Sequence, residues 1–241
     1  MFLRRLAATI GIAASSALIL AAPGPANAAS QVGWTGPAGL SYLSNSTIIN
    51  SPNLVAESKI WQTFGAETGP GNIGVRPRLF KSGVLCEARD FVYNSNPATQ
   101  LVVGTSATCG SGSYNSHGFV NVWNATNFTF DQYVTFPSNP LNWTDPTARS
   151  SVTPPIQSAG TNARGESFGT AEGVNDETEI PDLVQAYATN GSIGFIRSDD
   201  LQGPEAQTPS EALAQGQSPR TVNVYDSEGS NVVGQFTFGD N

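Results

Sequence analysis

Histidine, cysteine and charged residues are all scarce in this chain of 241 residues. One histidine and two cysteines are too few for the usual zinc sites, which are built from Cys and His side chains. Charged residues make up 12% of the chain, against about 25% in an average globular protein, and acids outnumber bases by 19 to 11. A chain without an excess of basic residues lacks the positive surface that binds nucleic-acid phosphates or anionic membranes, so both classes of partner are excluded.

The N-terminal segment has the three parts of an export signal. Arg4 and Arg5 form the basic start, residues 6–22 are uncharged and largely apolar, and Ala-Asn-Ala at 26–28 is a small-x-small site for signal peptidase. We therefore predict a secreted, extracellular protein whose signal peptide is cleaved after Ala28. A retained N-terminal anchor is the alternative, but no basic stop-transfer flank follows. No later stretch is apolar for long enough to span a membrane.

Charge divides the mature chain into unlike regions. Once Arg4 and Arg5 leave with the signal, nine basic and nineteen acidic residues remain, a net charge of −10. Residues 29–150 hold six of each sign, whereas the rest of the chain holds three arginines against thirteen acids. This asymmetry and the composition predict a neutral domain at 29–145, a Pro/Ser/Gly-rich acidic linker at 146–180 and a small hairpin module at 181–241.

The neutral region has the pattern of an antiparallel β-sheet. Short runs rich in Val, Ile, Thr and aromatic residues alternate with turn clusters, a spacing typical of an all-β sandwich or barrel. In one of these runs, Phe119, Asn121 and Trp123 should share one face of a strand, and Val120 and Val122 should share the other. The predicted strands are 59–64, 75–80, 84–92, 100–108, 118–123 and 128–136.

Cys86 and Cys109 are the only cysteines, and both lie in runs predicted to be strands. In an exported protein two cysteines indicate one disulfide, because oxidising compartments preserve such bonds. A reactive or metal-binding thiol is the alternative, but neither cysteine has the basic neighbours that activate a thiol. We predict a Cys86–Cys109 disulfide and no metal site.

The acidic region predicts two hairpins and one short helix after the linker. Asn-Gly at 190–191 lies between two apolar runs, which is a strong hairpin signal, and a second hairpin is predicted at 221–238. Thr-Pro-Ser-Glu at 208–211 has the form of a capping box, so a helix should cover 209–215. Six acids within 166–182 could bind calcium, but no EF-hand spacing is present. A solvated acidic strip is the favoured interpretation.

Three stretches of the C-terminal region read TNGSIGFIRSDDL at 189–201, TPSEALAQ at 208–215 and RTVNVYDSEGSNVVGQFTF at 220–238. They resemble the tails of secreted proteins from high-GC Gram-positive bacteria. The resemblance implies a bacterial, exported protein with a shared tail module. It implies no activity, cofactor or functional residue.

Two sequence motifs match known cofactor-binding or catalytic motifs but lack the flanking strand or helix that these functions require. The G-x-G-x-x-G match at 69–74 is followed by a proline-containing run instead of a helix, so it predicts a turn and not a dinucleotide site. The G-x-S-x-G match at 165–169 has neither the strand before it nor the helix after it that form a nucleophile elbow. A triad of His117, Asp131 and Ser167 in chymotrypsin-like order remains formally open.

Three side chains are candidates for ligand binding. His117 lies in a Gly/Ser-rich stretch that reads as a loop just before a strand, where a surface histidine is the simpler interpretation. Trp143 lies in a proline-flanked stretch and is the best candidate for an exposed tryptophan, and Trp123 lies in a predicted strand. Exposed aromatic side chains can stack on sugar rings, although most large aromatics on strands belong to the core.

Two hypotheses of function remain. The favoured one is a secreted, non-catalytic β-rich protein that binds a cell-surface glycan or protein, or has a structural role. The alternative is a secreted hydrolase of unfamiliar type that uses carboxylates or His117. Glu87 and Asp90 make a poor glycosidase pair, because residues three apart in a strand point to opposite faces. Neither hypothesis calls for a cofactor.

Overall fold

The computed structural model describes most of the chain beyond the N-terminal segment. Its ranges are 27–28, 32–35, 41–50, 53–135, 137–146, 156–216 and 218–239, and at 27–28 and 32–35 only the backbone is described. The predicted signal peptide therefore lies outside the described residues, apart from its last two positions. No helix within the described ranges is long and apolar enough to cross a membrane.

Seventeen strands make up about half of the described chain. In chain order they are β1 (Asn27–Ala28), β2 (Val32–Thr35), β3 (Tyr42–Ile49), β4 (Val55–Gln62), β5 (Ile73–Lys81), β6 (Val84–Ala88), β7 (Val92–Tyr93), β8 (Gln100–Gly104), β9 (Gly112–Asn124), β10 (Thr129–Thr135), β11 (Leu141–Trp143), β12 (Gly160–Thr161), β13 (Ser167–Gly169), β14 (Leu183–Tyr187), β15 (Ile193–Arg197), β16 (Arg220–Tyr225) and β17 (Val232–Phe238). The helical elements are a 3-10 turn at Glu177–Glu179, α1 (Ser198–Gln202) and α2 (Pro209–Ala214).

These strands form two sheets. The smaller sheet has five antiparallel strands in the order β1-β3-β4-β8, with β2 also beside β3. The larger sheet has twelve strands, of which eight follow the path β10-β9-β5-β6-β14-β15-β16-β17. The other four lie off this path: β7 beside β5, β11 beside β9, β13 beside β14 and β12 beside β13. Its neighbours are antiparallel except at β13–β14 and β6–β14. Because Ala186 of β14 pairs with Leu85 of β6, this sheet continues from the first half of the chain into the second.

The smaller sheet packs face to face on one end of the larger sheet. In β3 and β4 every second side chain is buried, so one face of this sheet packs inward and the other stays partly exposed. Tyr42 and Ile60 from the smaller sheet meet Val75, Val120 and Val122 from the larger one in one apolar cluster. A second cluster between the sheets contains Ile48, Leu54, Ala56, Leu79, Val84, Cys86 and Tyr114.

The two sheets approach closely at Gly118. A Cβ atom at this position would lie 2.2 Å from the carbonyl oxygen of Arg76 and 2.8 Å from the hydroxyl of Ser58. Beside it, the buried hydroxyl of Ser46 is hydrogen-bonded to Thr135 at 2.6 Å and to Ser58 at 3.1 Å. Small residues therefore set the distance between the layers, since a larger side chain would push them apart.

The opposite face of the larger sheet is covered by the acid-rich segment and the two helices. Phe119 contributes to a cluster there with Phe91, Tyr93, Ala206 and Ala212. Farther along the sheet a larger cluster surrounds Phe80, Val184, Ile196, Phe236 and Phe238. Residues before β14 and between β15 and β16 thus bury the face of strands β5 and β9 that points away from the smaller sheet.

The predicted fold class is confirmed. The chain is all-β and forms two packed sheets, and the described strands close no barrel. The face assignment in β9 is correct, since Val120 and Val122 lie between the sheets and Phe119 lies on the other side. The hairpin at Asn190-Gly191 is present, with Tyr187 opposite Ile193.

Several local features differ from the predictions. The described chain has two short α-helices where one was predicted, because burial of Leu201 holds α1 in place without a side-chain N-cap. The predicted strand 84–92 is interrupted between β6 and β7. Cys109 lies in the loop after β8 and not in a strand. The stretch 160–169, predicted as linker, contains the short strands β12 and β13.

Candidate functional site

Two arginines are buried side by side on the central strand β5. Arg76 and Arg78 are two residues apart, so both point to the face of the larger sheet that lies away from the smaller one. Their side chains are 1% and 0% exposed. The guanidinium of Arg76 lies 4.1 Å from the ring centre of Phe91, and that of Arg78 lies 4.8 Å from the ring centre of Phe119. Aromatic faces thus replace part of the water that a guanidinium would otherwise contact.

Glu177 is the counter-ion of both arginines. Its Oε1 accepts hydrogen bonds from Arg76 Nη1 at 2.5 Å and from Arg78 Nη2 at 3.2 Å, and the side chain is 12% exposed. Arg76 has two further acceptors, the carbonyl of Gln202 at 2.8 Å and Glu205 Oε1 at 3.0 Å. The prediction of a solvated acidic strip is therefore wrong for Glu177, because its ion pairs with two buried strand arginines shield most of its side chain from solvent.

The other acids of the strip are also hydrogen-bonded within the chain. Their partners are Arg164 and Arg197 for Glu166, Asn115 for Glu172, Thr178 for Asp176, Asn175 for Glu179 and Ser167 for Asp182. Hydrogen bonds from Asn162 and Arg164 lower the pKa of Glu166 to about 2. In the described part of the chain no group of His, Cys, Asp and Glu residues has the arrangement of a metal site. Through Glu166, Glu172 and Glu177, the strip is joined to β15, β9 and β5, whereas the hydrogen bonds of its other acids are local.

Arg78 depends on Glu177 more than Arg76 does. Burial and, to a smaller extent, repulsion from Arg76 lower the pKa of Arg78 to about 9, although the Glu177 carboxylate opposes both effects. Arg78 Nε and Nη1 have no hydrogen-bond partner among the described residues. At neutral pH Arg78 is still charged. Among the described residues, Glu177 is the one carboxylate within ion-pair distance that compensates this buried charge.

His117 does not lie in a surface loop, as the sequence suggested, but inside β9. It is opposite Arg78 of β5 and is fully buried between the rings of Phe80 and Phe119, whose centres lie 6.2 Å and 5.6 Å away. Neither ring nitrogen makes a hydrogen bond of normal geometry with a described residue. The backbone of Val174 raises the pKa of His117 slightly. Burial and the neighbouring Arg78 lower the pKa of His117 to about 3. The imidazole is therefore neutral and closed off from outside ligands.

The state of His117 predicts an unusual pH dependence of stability. Unfolding returns its pKa from about 3 to the ordinary value of 6.5, so the unfolded chain binds a proton that the native chain does not. As pH falls below 6.5, this residue should cost the native state about 1.4 kcal/mol per pH unit. Urea unfolding of wild type and His117→Leu between pH 6.5 and pH 4.5 should give a shallower pH slope for the variant. Equal slopes would show that the buried imidazole is not held neutral.

The structure does not bring the formal triad together. His117 has no carboxylate partner in the described ranges, Asp131 accepts a hydrogen bond from Asn124 at 2.8 Å, and the Ser167 hydroxyl donates to Asp182 at 2.7 Å. In the described residues, these three side chains share no hydrogen bond with one another. Among the described residues, Ser167 therefore has no imidazole to activate it, and its hydrogen bonds lower the pKa of the Asp182 carboxyl, which makes that carboxylate a weaker base.

The carboxylates of Glu87 and Asp90 are also separate. Glu87 is buried and accepts hydrogen bonds from the backbone amides of Ser106, at 2.9 Å, and Ala107. Burial raises the pKa of Glu87, and these hydrogen bonds oppose the rise. Asp90 forms an ion pair with Arg220 at 2.7 Å. Neither carboxylate faces the other across a cleft.

The three tryptophans whose side chains are described lie in three different places. Trp143 is in the short strand β11, and its ring packs edge-on against Tyr114 with the centres 6.1 Å apart. Trp123 packs edge-on against Phe130 at 5.2 Å on the outer side of the larger sheet. Trp61 lies on the partly exposed face of the smaller sheet, with Lys59 Nζ 5.1 Å from the centre of its ring. These side chains form no row of aromatics on one face.

The partly exposed face of the smaller sheet forms a shallow groove, which we call the open face. Strands β3, β4 and β8 contribute its lining side chains, and its volume is about 290 Å³. The lining residues are Asn45, Thr47, Ile49, Glu57, Lys59 and Val102. Lys59 lies opposite Asn45 on one side and Val102 on the other, so a basic, a polar and an apolar group meet across three strands. This surface was not among the predicted sites, and its one signal in the sequence is the pair of charged residues Glu57 and Lys59, which are two positions apart in a strand.

The fold and the open face define a two-sheet, all-β protein with one groove on its smaller sheet. Comparisons of the chain with protein families, curated proteins and solved structures gave no match. The residues themselves are therefore the basis for a proposal about function.

Proposed function

We propose that this chain is an exported, non-catalytic bacterial protein that binds a ligand outside the cell through the open face. The export signal in the sequence and the Cys86–Cys109 disulfide support the location, since oxidising compartments preserve disulfides. The observation that carries the binding role is the groove itself. It combines hydrogen-bonding and apolar side chains on strands that the sandwich core holds in place.

A polar, uncharged ligand fits the chemistry of the open face best, and we propose a neutral glycan chain. Asn45, Thr47, Glu57 and Lys59 supply both hydrogen-bond donors and acceptors, which hydroxyl-rich sugars require. The two charged residues have opposite signs, so the groove favours neither anions nor cations. Val102 is 42% exposed and offers an apolar patch for the ring carbons of a sugar.

The alternative of a secreted hydrolase gains no support from the geometry. In the described part of the chain, His117 is enclosed, Ser167 and Asp131 have other partners, and Glu87 and Asp90 do not converge. A general base must reach the proton that it abstracts, and none of these groups does so next to the open face.

A glycan-binding screen of the mature protein tests the proposal. We expect wild type to bind at least one neutral glycan, and we expect a double variant, Glu57→Ala with Lys59→Ala, to weaken that binding about tenfold or more. Charged side chains contribute about 1.5–3 kcal/mol per hydrogen bond, which corresponds to such a change. Calorimetric titration with the best glycan from the screen provides the measurement.

Thr221→Ala is the matched control, because Thr221 is an exposed strand residue on the other sheet. It should leave both glycan affinity and thermal midpoint unchanged. Absence of binding to any neutral glycan, or binding that the double variant retains in full, would contradict the proposal. In the first case a structural role remains, and in the second the ligand binds elsewhere.

A further inference from the structure

A second concave site shares no lining residue with the open face. It is a cleft of about 240 Å³ between the bend that joins β6 to β7, the segment around α2 and the end of β17. Arg89, Asp90, Gln215, Ser218 and Arg220 supply its polar lining. The cleft does not belong to the function proposed for the open face.

Arg89 is the unusual residue of this cleft. Of the six arginines in the described ranges, the other five pair with a carboxylate, whereas Arg89 has no carboxylate of a described residue within ion-pair distance. Its Nη1 donates to the carbonyl of Gly104 at 3.2 Å, which fixes one side of the guanidinium. Its charge also acts at longer range on buried Glu87, whose oxygens are already hydrogen-bonded to Ser106 and Ala107. In an acidic protein an arginine without a carboxylate partner is a position where an anion is favoured.

An ion pair between Arg220 and Asp90 forms the adjacent wall of the cleft. Arg220 Nε and Nη2 bind the two oxygens of Asp90 at 2.7 Å and 2.8 Å, and the guanidinium stacks on Phe238 at 3.6 Å. Gly203 leaves room for this guanidinium, since its φ is +66° and a Cβ atom there would lie 2.6 Å from Arg220 Nη2. Because Arg220 already neutralises Asp90, this carboxylate repels an incoming anion only weakly.

We propose that the cleft binds the carboxylate group of a small molecule, with Arg89 as the residue that recognises the charge. The volume lies below the range of about 300–1,000 Å³ that is usual for drug-sized ligands, so the ligand is small. Gln215 and Ser218 are exposed at the rim and can hydrogen-bond to the polar groups beside the carboxylate. A carboxylate fits the free edge of a guanidinium with two parallel hydrogen bonds.

An NMR titration of the isotope-labelled mature protein tests this site. The probes are N-acetylglycine, its neutral amide N-acetylglycinamide, and glucuronate as a sugar acid. We expect one or both carboxylates to bind at millimolar concentrations and to shift the Arg89 Nε–H signal, and we expect the neutral amide to shift nothing. A response to N-acetylglycine alone would identify an amino-acid-like ligand, and a response to glucuronate alone would identify a sugar acid.

Variants separate charge recognition from structure. Arg89→Gln should weaken binding about tenfold or more, Arg89→Lys should retain part of it, and Arg164→Gln, at an exposed arginine outside the cleft, should leave it unchanged. If Arg89→Gln does not fold, the wild-type shifts and their decrease at high salt still decide the question. Absence of carboxylate-specific shifts in wild type overturns the proposal. Asp240 follows the cleft residue Gly239 in the sequence. If carboxylates bind only to the Asp240→Asn variant, this acid of the chain itself blocks the cleft, and the proposal is overturned.

Discussion

Replacing Glu177 by Gln should lower the free energy of unfolding by about 3 kcal/mol or more. Glu177 is the carboxylate that Arg76 and Arg78 share, and both guanidinium groups are fully buried. The amide keeps the shape of the side chain and removes its charge, so two buried cations are left with Glu205 as their remaining acid partner. Glu205 contacts only Arg76, and its side chain is 39% exposed.

Two further variants show whether the loss comes from the unpaired charge. Glu179→Gln is the matched control, because Glu179 lies in the same 3-10 turn but is exposed, and it should change stability by a few tenths of a kcal/mol at most. In the Glu177→Gln background, Arg78→Met should recover much of the lost stability, since it removes the cation that has no other partner. Chemical denaturation followed by circular dichroism gives these free energies. A loss that Arg78→Met deepens would mean that packing, and not charge, is the cause.

Removing the disulfide should lower the free energy of unfolding by a similar amount. Cys86 and Cys109 are bonded and are 23 residues apart in sequence. Closing a loop of this length reduces the entropy of the unfolded chain, which is equivalent to about 3.4 kcal/mol of stability. For a protein of this size we expect the thermal midpoint to fall by roughly 10 °C.

The measurement compares the oxidised protein with the reduced protein and with a Cys86→Ala/Cys109→Ala double variant. Reduction leaves every side chain in place, so it separates the effect of the cross-link from that of the lost sulfur atoms in the cluster between the sheets. Other contacts hold the 105–111 loop, since Lys81 Nζ donates to the Cys109 carbonyl at 2.7 Å and the amide of Cys109 donates to Tyr114 Oη at 3.0 Å. We therefore expect a folded but less stable protein. An unchanged midpoint after complete reduction would contradict the expectation.

The strands could be predicted because their signals are local. Side chains alternate between the two faces of a strand, so a run such as FVNVW indicates both the strand and which of its residues share a face. The Asn190-Gly191 turn and the capping box before α2 are equally local, and both occur where the sequence places them. The disulfide followed from simple counting, because two cysteines allow one pair.

The interior of β9 shows where local signals fail. The stretch 110–118 is rich in Gly and Ser, which is typical of loops, yet residues 112–118 belong to the central strand β9, which pairs with β5 on one side and with β11 and β10 on the other. Gly118 is needed there because the backbone of β5 and the side chain of β4 come too close for a Cβ atom. Composition cannot distinguish a glycine that forms a turn from one that allows two sheets to meet, and His117 was misplaced for this reason.

By itself the sequence determined the all-β class, most strand positions, the faces of those strands and the cysteine pair, since these depend on periodicity and on counts. Only the tertiary structure decided that His117 is enclosed, that Glu177 neutralises arginines about one hundred positions earlier in the chain, and that Arg89 has no acid partner among the described residues. Such pairings depend on which strands become neighbours. That choice is made by the packing of the two sheets as a whole, and no short stretch of sequence records it.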